Sequence, residues 1–190
     1  MTARDPAAVV EASERVILGA ALLDPDVAEA LVRDLPPAMY SRPEHVTIAQ
    51  AIRDAWECRG AVDPTLVESE LDAQGRLAVV GGASYLASLM DAAQSATVRD
   101  RELRLDAHAA VVREAHALRR LGDEARVIAR AVEDGDKAAA RTALDRAVVE
   151  ATLSGASTAT IPTVPIPAIA ITRSGRWRSR VPEHRDHPFR

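Results

Sequence analysis

Two adjacent glycines and a single lysine are the residues of this sequence that nucleotide chemistry would need first. A phosphate-binding loop of the GxxxxGK[ST] kind cradles phosphates with backbone amides and neutralises them with a lysine. The only lysine is Lys137, which follows the acidic stretch EDGD and has no glycine-rich loop before it. Gly81 and Gly82 lack the third glycine of a dinucleotide-binding fingerprint, and their surroundings predict a turn that leads into a short helix. The sequence therefore excludes Walker-type nucleotide hydrolysis by these residues and predicts no bound cofactor.

The histidines and the single cysteine do not form a recognisable metal site or nucleophile. His108 and His116 are two helical turns apart, which is too far for one metal ion. His184 and His187 lie near the C-terminus, where a solvated pair is favoured over a loose metal contact. Cys58 has no obvious basic partner, so we interpret its thiol as buried or inert. A lone cysteine also fits a reducing cytoplasm, where we expect the protein to be located.

Carboxylates are plentiful, but their spacing is typical of solvated helix faces. Asp123 and Glu124, for example, alternate with Arg119, Arg120 and Arg126 at distances that suit ion pairs along a helix. No acid–base pair stands out. We therefore expect no catalytic residue and no metal ligand, and we predict that the chain is not an enzyme.

The elements that hold these side chains are predicted to be helices. Only five residues are aromatic although 47% are apolar, so the core must consist of Ala, Val, Leu and Ile, which suit closely packed helices. Asp-Pro pairs at 5–6, 24–25 and 63–64 predict helix starts. The aspartate side chain accepts hydrogen bonds from the unpaired backbone amides of the first turn, and proline is tolerated at the first helical position because it has no amide to lose. A further helix is expected from about Pro43 to Gly60. No stretch of the sequence alternates between apolar and polar residues for long enough to predict a β-strand.

The fold class that follows is all-α in three parts. We expect a compact helical head at residues 1–97, an antiparallel helical hairpin at 98–152, and a disordered Pro/Arg-rich tail at 153–190. The hairpin turn is predicted at Gly135, which ends one helix, and at Asp136, which caps the next. The tail is interpreted as disordered because small residues, prolines and arginines bury too little apolar surface to fold.

The first hairpin helix carries apolar residues at heptad spacing. Val111, Leu118, Ala125 and Val132 are seven residues apart, and Leu121 and Ile128 occupy a second heptad position. This stripe is longer than the second helix can cover, so it either contacts another copy of the chain or packs on the head. Both alternatives stay open at this point. The candidate interface residues are Val111, Leu118, Arg119, Arg120, Leu121, Ala125 and Ile128.

The tail is the basic part of an acidic chain. Residues 171–190 carry a net charge of +4, and the remaining residues carry −8. Most of the surface should repel nucleic acid, whereas the tail has candidate contacts to single-stranded bases through Arg176, Trp177, Arg178 and Arg180. An unselected flexible end is the simpler interpretation. No apolar run is long enough to span a membrane, and no signal peptide is seen, so no membrane partner is expected.

Four stretches, which together carry five motifs in order, resemble one known family. They are SERVILGAALLD (13–24), PPAMYSRPEHVTIAQAIRDAWECRGAVDPTLVESELDAQGRL (36–77), VGGASYLASLMDAA (80–93) and AAVVREAHALRRL (109–121). The long second segment contains two of the family's motifs. Together these segments resemble the N-terminal domain of bacterial replicative DNA helicases of the DnaB type over about residues 13–150. The matching positions are Leu18, Gly19, Leu22, Leu23, Asp24, Tyr40, His45, Ile48, Val62, Asp63, Leu71, Gly81, Gly82, Tyr85, Leu86 and Leu89.

The resemblance implies a role in DNA replication. In such helicases this region helps to assemble a ring and engages a primase and sometimes a helicase loader, within a primosome, and ATP is hydrolysed elsewhere. We therefore expect a non-catalytic module that forms a homo-oligomer and binds primase, loader or an intact replicative helicase, with DNA reached indirectly or through the tail. The RecA-like motor that follows the hairpin in the family does not appear in the sequence, and position 108 is His where the family usually has an aromatic residue. A truncated helicase and a single-strand-binding accessory protein are the alternatives.

Overall fold

The described part of the chain is built from helices. The computed structural model describes residues 5–96 and 101–153, and within these ranges it contains seven α-helices, one 3₁₀ turn and no strand. The predicted all-α class is confirmed. The helices are α1 (Pro6–Leu23), α2 (Pro25–Asp34), α3 (Pro43–Arg59), α4 (Pro64–Ala73), α5 (Gly82–Ala96), α6 (Arg101–Glu133) and α7 (Lys137–Leu153), and the 3₁₀ turn is Pro37–Met39.

The Asp-Pro pairs start three helices, as predicted. Asp5 and Asp24 each accept a hydrogen bond of 3.0 Å from the amide two residues later. Asp63 accepts two, from Thr65 at 2.8 Å and Leu66 at 2.9 Å. Each proline occupies the first turn, where no amide hydrogen bond is lost. These caps are local, which is why sequence alone could predict them.

Helix α1 lies at the centre of the head and packs against α2, α3, α4, α5 and α6. A helix in contact with neighbours on most sides must be apolar around most of its circumference. Nine consecutive or near-consecutive residues of α1 are accordingly buried: Ser13, Glu14, Val16, Ile17, Leu18, Gly19, Ala20, Ala21 and Leu22. Two residues of this run, Ser13 and Glu14, are polar.

The double glycine turns the chain ahead of α5. Gly81 has a φ of 96° and Gly82 a φ of 71°, a backbone conformation that residues with a side chain rarely adopt. The preceding residues 77–80 form turns, and Leu86 and Leu89 of α5 are buried in the core. The glycines therefore have a structural role, as the sequence predicted.

The hairpin of α6 and α7 is joined to the head along the first half of α6. Ala109 and Val112 are part of the hydrophobic core. The Nδ1 atom of His108 lies 3.1 Å from the hydroxyl of Ser13 on α1. The Arg119 guanidinium donates to the carbonyl oxygen of Met39 in the 3₁₀ turn. These contacts set the rotation of α6 about its own axis, and so decide which of its faces remains uncovered.

The turn of the hairpin forms as predicted. Gly135 has a φ of 73°, and the Asp136 carboxylate accepts hydrogen bonds from the amides of Ala138 and Ala139 at 3.1 and 3.0 Å. Helix α7 then runs back along the second half of α6. Across the described residues, no helix is both long and apolar enough to cross a membrane.

Candidate protein-interaction surface

One side of the hairpin exposes a row of apolar side chains on each helix. We call this surface the hairpin face and define it as Leu118, Ala125 and Val132 of α6 with Leu144 and Val148 of α7. Its four large side chains are between 53% and 66% exposed, and Ala125 is exposed as well. Apolar side chains left this open on adjacent helices are typical of a surface that contacts another protein.

The opposite side of the hairpin has a different character. An open groove of about 360 Å³ lies there, lined by Arg120, Glu124, Thr142, Asp145, Arg146, Val149 and Glu150. Charged residues of the two helices pair across it: Arg146 lies 3.3 Å from Glu124, and Arg120 lies 3.9 Å from Glu150. Because α6 residues 118, 125 and 132 are displaced around the helix from Arg120 and Glu124, they point to the other side of the hairpin. Leu144 and Val148 of α7 are likewise displaced around their helix from the groove residues Arg146 and Val149.

The structure divides the predicted interface residues into two groups. Leu118 and Ala125 are exposed on the hairpin face, which favours contact with another molecule over packing on the head. Val111 is half-buried beside the head. Leu121 and Ile128 are also half-buried, and they share the side of α6 on which Ala117 and Ala131 are buried. The second heptad position therefore belongs mainly to packing within the hairpin.

The two predicted arginines also differ. Arg119 was expected among exposed interface positions, but it is half-buried because its side chain lies against the head and donates to Met39. Arg120 is exposed and lies in the groove, on the opposite side from the hairpin face. Arg176, Trp177, Arg178 and Arg180 of the tail lie outside the described residues.

A buried polar cluster joins three helices of the head. The Glu14 carboxylate on α1 lies 2.6 Å from Nδ1 of His45 on α3, and Nε2 of His45 lies 2.8 Å from the hydroxyl of Tyr85 on α5. Glu14 and His45 are completely buried. The second carboxylate oxygen of Glu14 accepts a hydrogen bond of 2.6 Å from the amide of Ser41. The Arg15 guanidinium lies over the Tyr85 ring, 5.9 Å from its centroid.

Opposing effects act on the protonation of this cluster. Burial alone would raise the pKa of Glu14, but the hydrogen bonds from His45 and Ser41 outweigh it and hold the pKa below its usual value. The carboxylate is therefore ionised and accepts from the Nδ1–H group of His45. When the imidazole is neutral, its Nε2 accepts from the Tyr85 hydroxyl; when it is protonated, both ring nitrogens donate.

The cluster has the order of a catalytic relay, but its carboxylate and imidazole are completely buried. A carboxylate, an imidazole and a hydroxyl in line can move protons to a substrate when the hydroxyl faces a binding cleft. Here the carboxylate and the imidazole have no exposed surface, and the groove described above lies on the hairpin. The arrangement instead ties α1, α3 and α5 together at one point.

Sequence reasoning missed this cluster, and its view of the carboxylates as solvated helix faces is wrong for Glu14. The available signal was the position of Glu14, an acid two residues before the apolar run VILGAALL. For Cys58 the expectation of a buried thiol is wrong, because the residue is exposed near the end of α3, whereas the alternative expectation of an inert thiol stays a prediction. Among the described residues, no group of His, Cys, Asp and Glu is arranged to hold a metal ion.

Comparisons with known proteins agree with this architecture. The family model described as the DnaB-like helicase N terminal domain matches residues 6–114. The chain is 30% identical over 140 residues to the replicative DNA helicase DnaB of Mycobacterium leprae (strain TN), a match that covers 73% of this chain and 22% of that protein. It is 34% identical over 118 residues to the replicative DNA helicase DnaB of Geobacillus stearothermophilus, with coverage of 62% and 24%. The matched region is therefore about a quarter of the length of these curated relatives.

A solved structure shares the fold. The crystal structure of the N-terminal domain of DnaB helicase from Mycobacterium tuberculosis superposes with a TM-score of 0.60 and 31% sequence identity, and the match covers 73% of this chain and 93% of that one. Both the sequence and the structural comparisons thus point to the same region of the same kind of protein.

Proposed function

Because the chain belongs to the DnaB-like helicase N-terminal domain family, we propose that it is a non-catalytic interaction module of DNA replication. It associates with further copies of itself through the hairpin face, and it binds a primase, a helicase loader or a replicative helicase. Support for the replication role comes from the relatives, which are replicative DNA helicases. Support for a role without nucleotide hydrolysis comes from the sequence, whose only lysine, Lys137, lies at the hairpin turn and not in a phosphate-binding loop.

The observation that carries self-association is the exposed hairpin face. If two copies pack face to face, eight large apolar side chains, each more than half exposed in one copy, are covered together. Burying a whole Val or Leu side chain contributes about 1.5–3 kcal/mol, so half of that for eight side chains is about 6–12 kcal/mol. Association costs about 4–15 kcal/mol in lost freedom. We therefore expect a modest, concentration-dependent dimer and not a permanent one.

Adjacent valines of α7 give a matched test of this surface. Val148 lies on the hairpin face and is 58% exposed, whereas Val149 lines the groove on the opposite side and is 56% exposed. Val148→Asp should weaken the dimer at least tenfold, as measured by light scattering or sedimentation over a range of protein concentrations, because it buries an unpaired charge. Val149→Asp has the same chemistry and should leave the dimer unchanged. A wild-type chain that stays monomeric at high concentration would contradict the self-association part of the proposal.

Two leucines of α6 separate assembly from folding. Leu118→Asp should weaken the dimer while the free energy of unfolding of the monomer changes little, since Leu118 is exposed on the hairpin face. Leu121→Asp should lower the free energy of unfolding itself, because Leu121 is half-buried within the hairpin. Denaturant unfolding at low protein concentration distinguishes the two effects.

Partner binding needs a direct assay. The full chain, immobilised, should retain the primase, the helicase loader or the replicative helicase of its own host, each supplied as a purified protein. Repeating the assay with the Val148→Asp variant tells whether the partner needs the assembled form. Absence of binding to all three proteins would remove this part of the proposal and leave self-association to be judged by the previous tests.

A further inference from the structure

A glycine, Gly122, lies in the interior of the long helix α6. Glycine weakens a helix there, because it loses more backbone freedom on folding than any other residue. The backbone at residue 122 is helical, so its conformation does not require glycine. Within the described part of the chain, a Cβ atom at this position would have no atom within 4 Å beyond its own helical turn. Neither backbone shape nor packing therefore accounts for this glycine, in contrast to Gly135 and Gly19.

Gly122 separates the part of α6 that is fixed to the head from the part that extends beyond it. On the head side, Val112 is in the hydrophobic core and Arg119 donates to the 3₁₀ turn. Among the described residues, the substantial packing of α7 is against α6 and not against the head. Residues 123–133 therefore form an arm of about 17 Å, which is held to the head by the continuation of α6.

Helix α7 passes the level of Gly122 but braces it only weakly. One ion pair, Arg120 with Glu150 at 3.9 Å, lies before that level, and another, Arg146 with Glu124 at 3.3 Å, lies after it. Both arginine side chains are more than half exposed, and ion pairs with a solvated partner contribute little. The open groove of about 360 Å³ lies between the same residues, so the side chains there have room to rearrange.

The contact side of α7 is made of small residues. Ala143 is buried against α6, and Ala140 and Ala147, on the same side of α7, are half-buried. Large side chains lock two helices together by fitting into each other's grooves, whereas methyl groups leave a smoother surface. Small sliding movements of packed helices are a common form of conformational change. Helix α7 can therefore follow a bend in α6 without separating from it.

From these observations we infer that α6 bends at Gly122 and that the far half of the hairpin tilts relative to the head. A bend of about 20° moves the end of the arm by about 6 Å. Leu118 stays with the head, whereas Ala125, Val132 and Leu144 move with the arm, so one chain presents the hairpin face in more than one shape. This inference concerns a single chain and does not depend on the self-association or partner binding proposed above.

Two spin labels on one chain measure the tilt. Cys58 is the only cysteine of the sequence and is exposed at the end of α3, so it takes one label, and Glu133→Cys at the exposed end of α6 takes the other. The labelled chain is diluted into excess unlabelled chain, so that pulsed dipolar spectroscopy reports distances within one molecule. With Gly122 present the distance distribution should be broad. Gly122→Ala should reduce its width to about half, because alanine favours the straight helix.

A matched control moves the glycine along the same helix. In Gly122→Ala/Ala129→Gly the composition is that of the wild type, so the thermal stability should return toward the wild-type value. Only about 6 Å of helix separates position 129 from the label at 133, so the distribution should stay narrow. Equal widths with Gly122 and with Gly122→Ala would overturn the inference. A double variant as broad as the wild type would also overturn it, because the width would then depend on glycine content and not on its position.

Discussion

Glu14 shows at the residue scale how a buried charge is tolerated in this head. A carboxylate removed from water is costly unless hydrogen bonds replace its hydration. Glu14 receives such bonds from His45, 2.6 Å away, and from the amide of Ser41 at the same distance. Glu14 is 27 and 31 residues away from Ser41 and His45 in the sequence, so the charge contributes to stability only when α1 packs against the start of α3.

Two Tyr→Phe substitutions, one inside this cluster and one outside it, should have opposite outcomes. Tyr85 has a hydroxyl 2.8 Å from Nε2 of His45, so Tyr85→Phe leaves a buried ring nitrogen without its partner and should cost about 1–3 kcal/mol. The buried hydroxyl of Tyr40 has no hydrogen-bond partner among the described residues, and burial raises its pKa well above the usual range. Tyr40→Phe should therefore be neutral or stabilising by up to about 1 kcal/mol. Urea unfolding of the two variants checks the difference; equal losses would show that Tyr40 is also hydrogen-bonded.

The lowered pKa of Glu14 predicts a specific pH dependence of stability. A carboxyl group whose pKa is lower in the folded state stabilises the fold above its unfolded pKa of about 4.5, and this stabilisation is lost as the pH falls through the folded value. Glu14→Gln should cost about 1–3 kcal/mol at pH 7, and its difference from wild type should shrink below pH 4.5. Glu11→Gln is the control, since Glu11 makes a partly exposed ion pair with Arg42 and should cost less than about 1 kcal/mol. A Glu14 effect that is constant from pH 7 to acid would contradict the assignment.

At the scale of elements, α1 and α5 cross in close backbone contact at Gly19. A Cβ atom added at Gly19 would lie 1.9 Å from the carbonyl oxygen of Leu89 and 2.4 Å from its carbonyl carbon. These are backbone atoms and cannot move aside as a flexible side chain can. Any side chain at position 19 must therefore push the two helices apart.

Two glycines in helix interiors should respond oppositely to the same substitution. Gly19→Ala should destabilise the protein by about 1–3 kcal/mol, because the α1–α5 packing must open. Gly122 in α6 has no atom within 4 Å of the corresponding position, so Gly122→Ala should stabilise by up to about 1 kcal/mol through helix propensity. Thermal unfolding at one fixed protein concentration compares them. A harmless Gly19→Ala would mean that α5 can shift relative to α1.

At the scale of the whole molecule, helix ends could be predicted from neighbouring residues, whereas contacts between helices that are distant in the sequence could not. Asp63, Gly60 and Asp136 mark helix ends through contacts within a few residues, so their sequence neighbours suffice to identify them. The partners of His45 lie 31 and 40 residues away and meet only when three helices pack.

The sequence likewise predicted only part of the hairpin face. Heptad spacing identified an apolar stripe on α6. Whether this stripe packs on the head or contacts another molecule depends on the rotation of α6 about its own axis. Contacts such as that of Arg119 with Met39 set this rotation, and they join residues 80 positions apart. Leu118 is exposed for that reason, while Leu121, three residues later, is half-buried.

The charge distribution of the whole chain predicts where any nucleic-acid binding must reside. Residues 171–190 carry +4 and the other residues carry −8, so binding to single-stranded DNA should be weak, strongly salt-dependent and lost when residues 171–190 are deleted. Replacing Arg176, Arg178 and Arg180 by Gln should reduce the dependence of the binding constant on salt, whereas Trp177→Ala should reduce affinity with the salt dependence kept, because stacking is not electrostatic. Fluorescence anisotropy with a labelled oligonucleotide at several salt concentrations measures both quantities. Unchanged binding after the deletion would place the nucleic-acid contact on the acidic body of the protein and contradict this prediction.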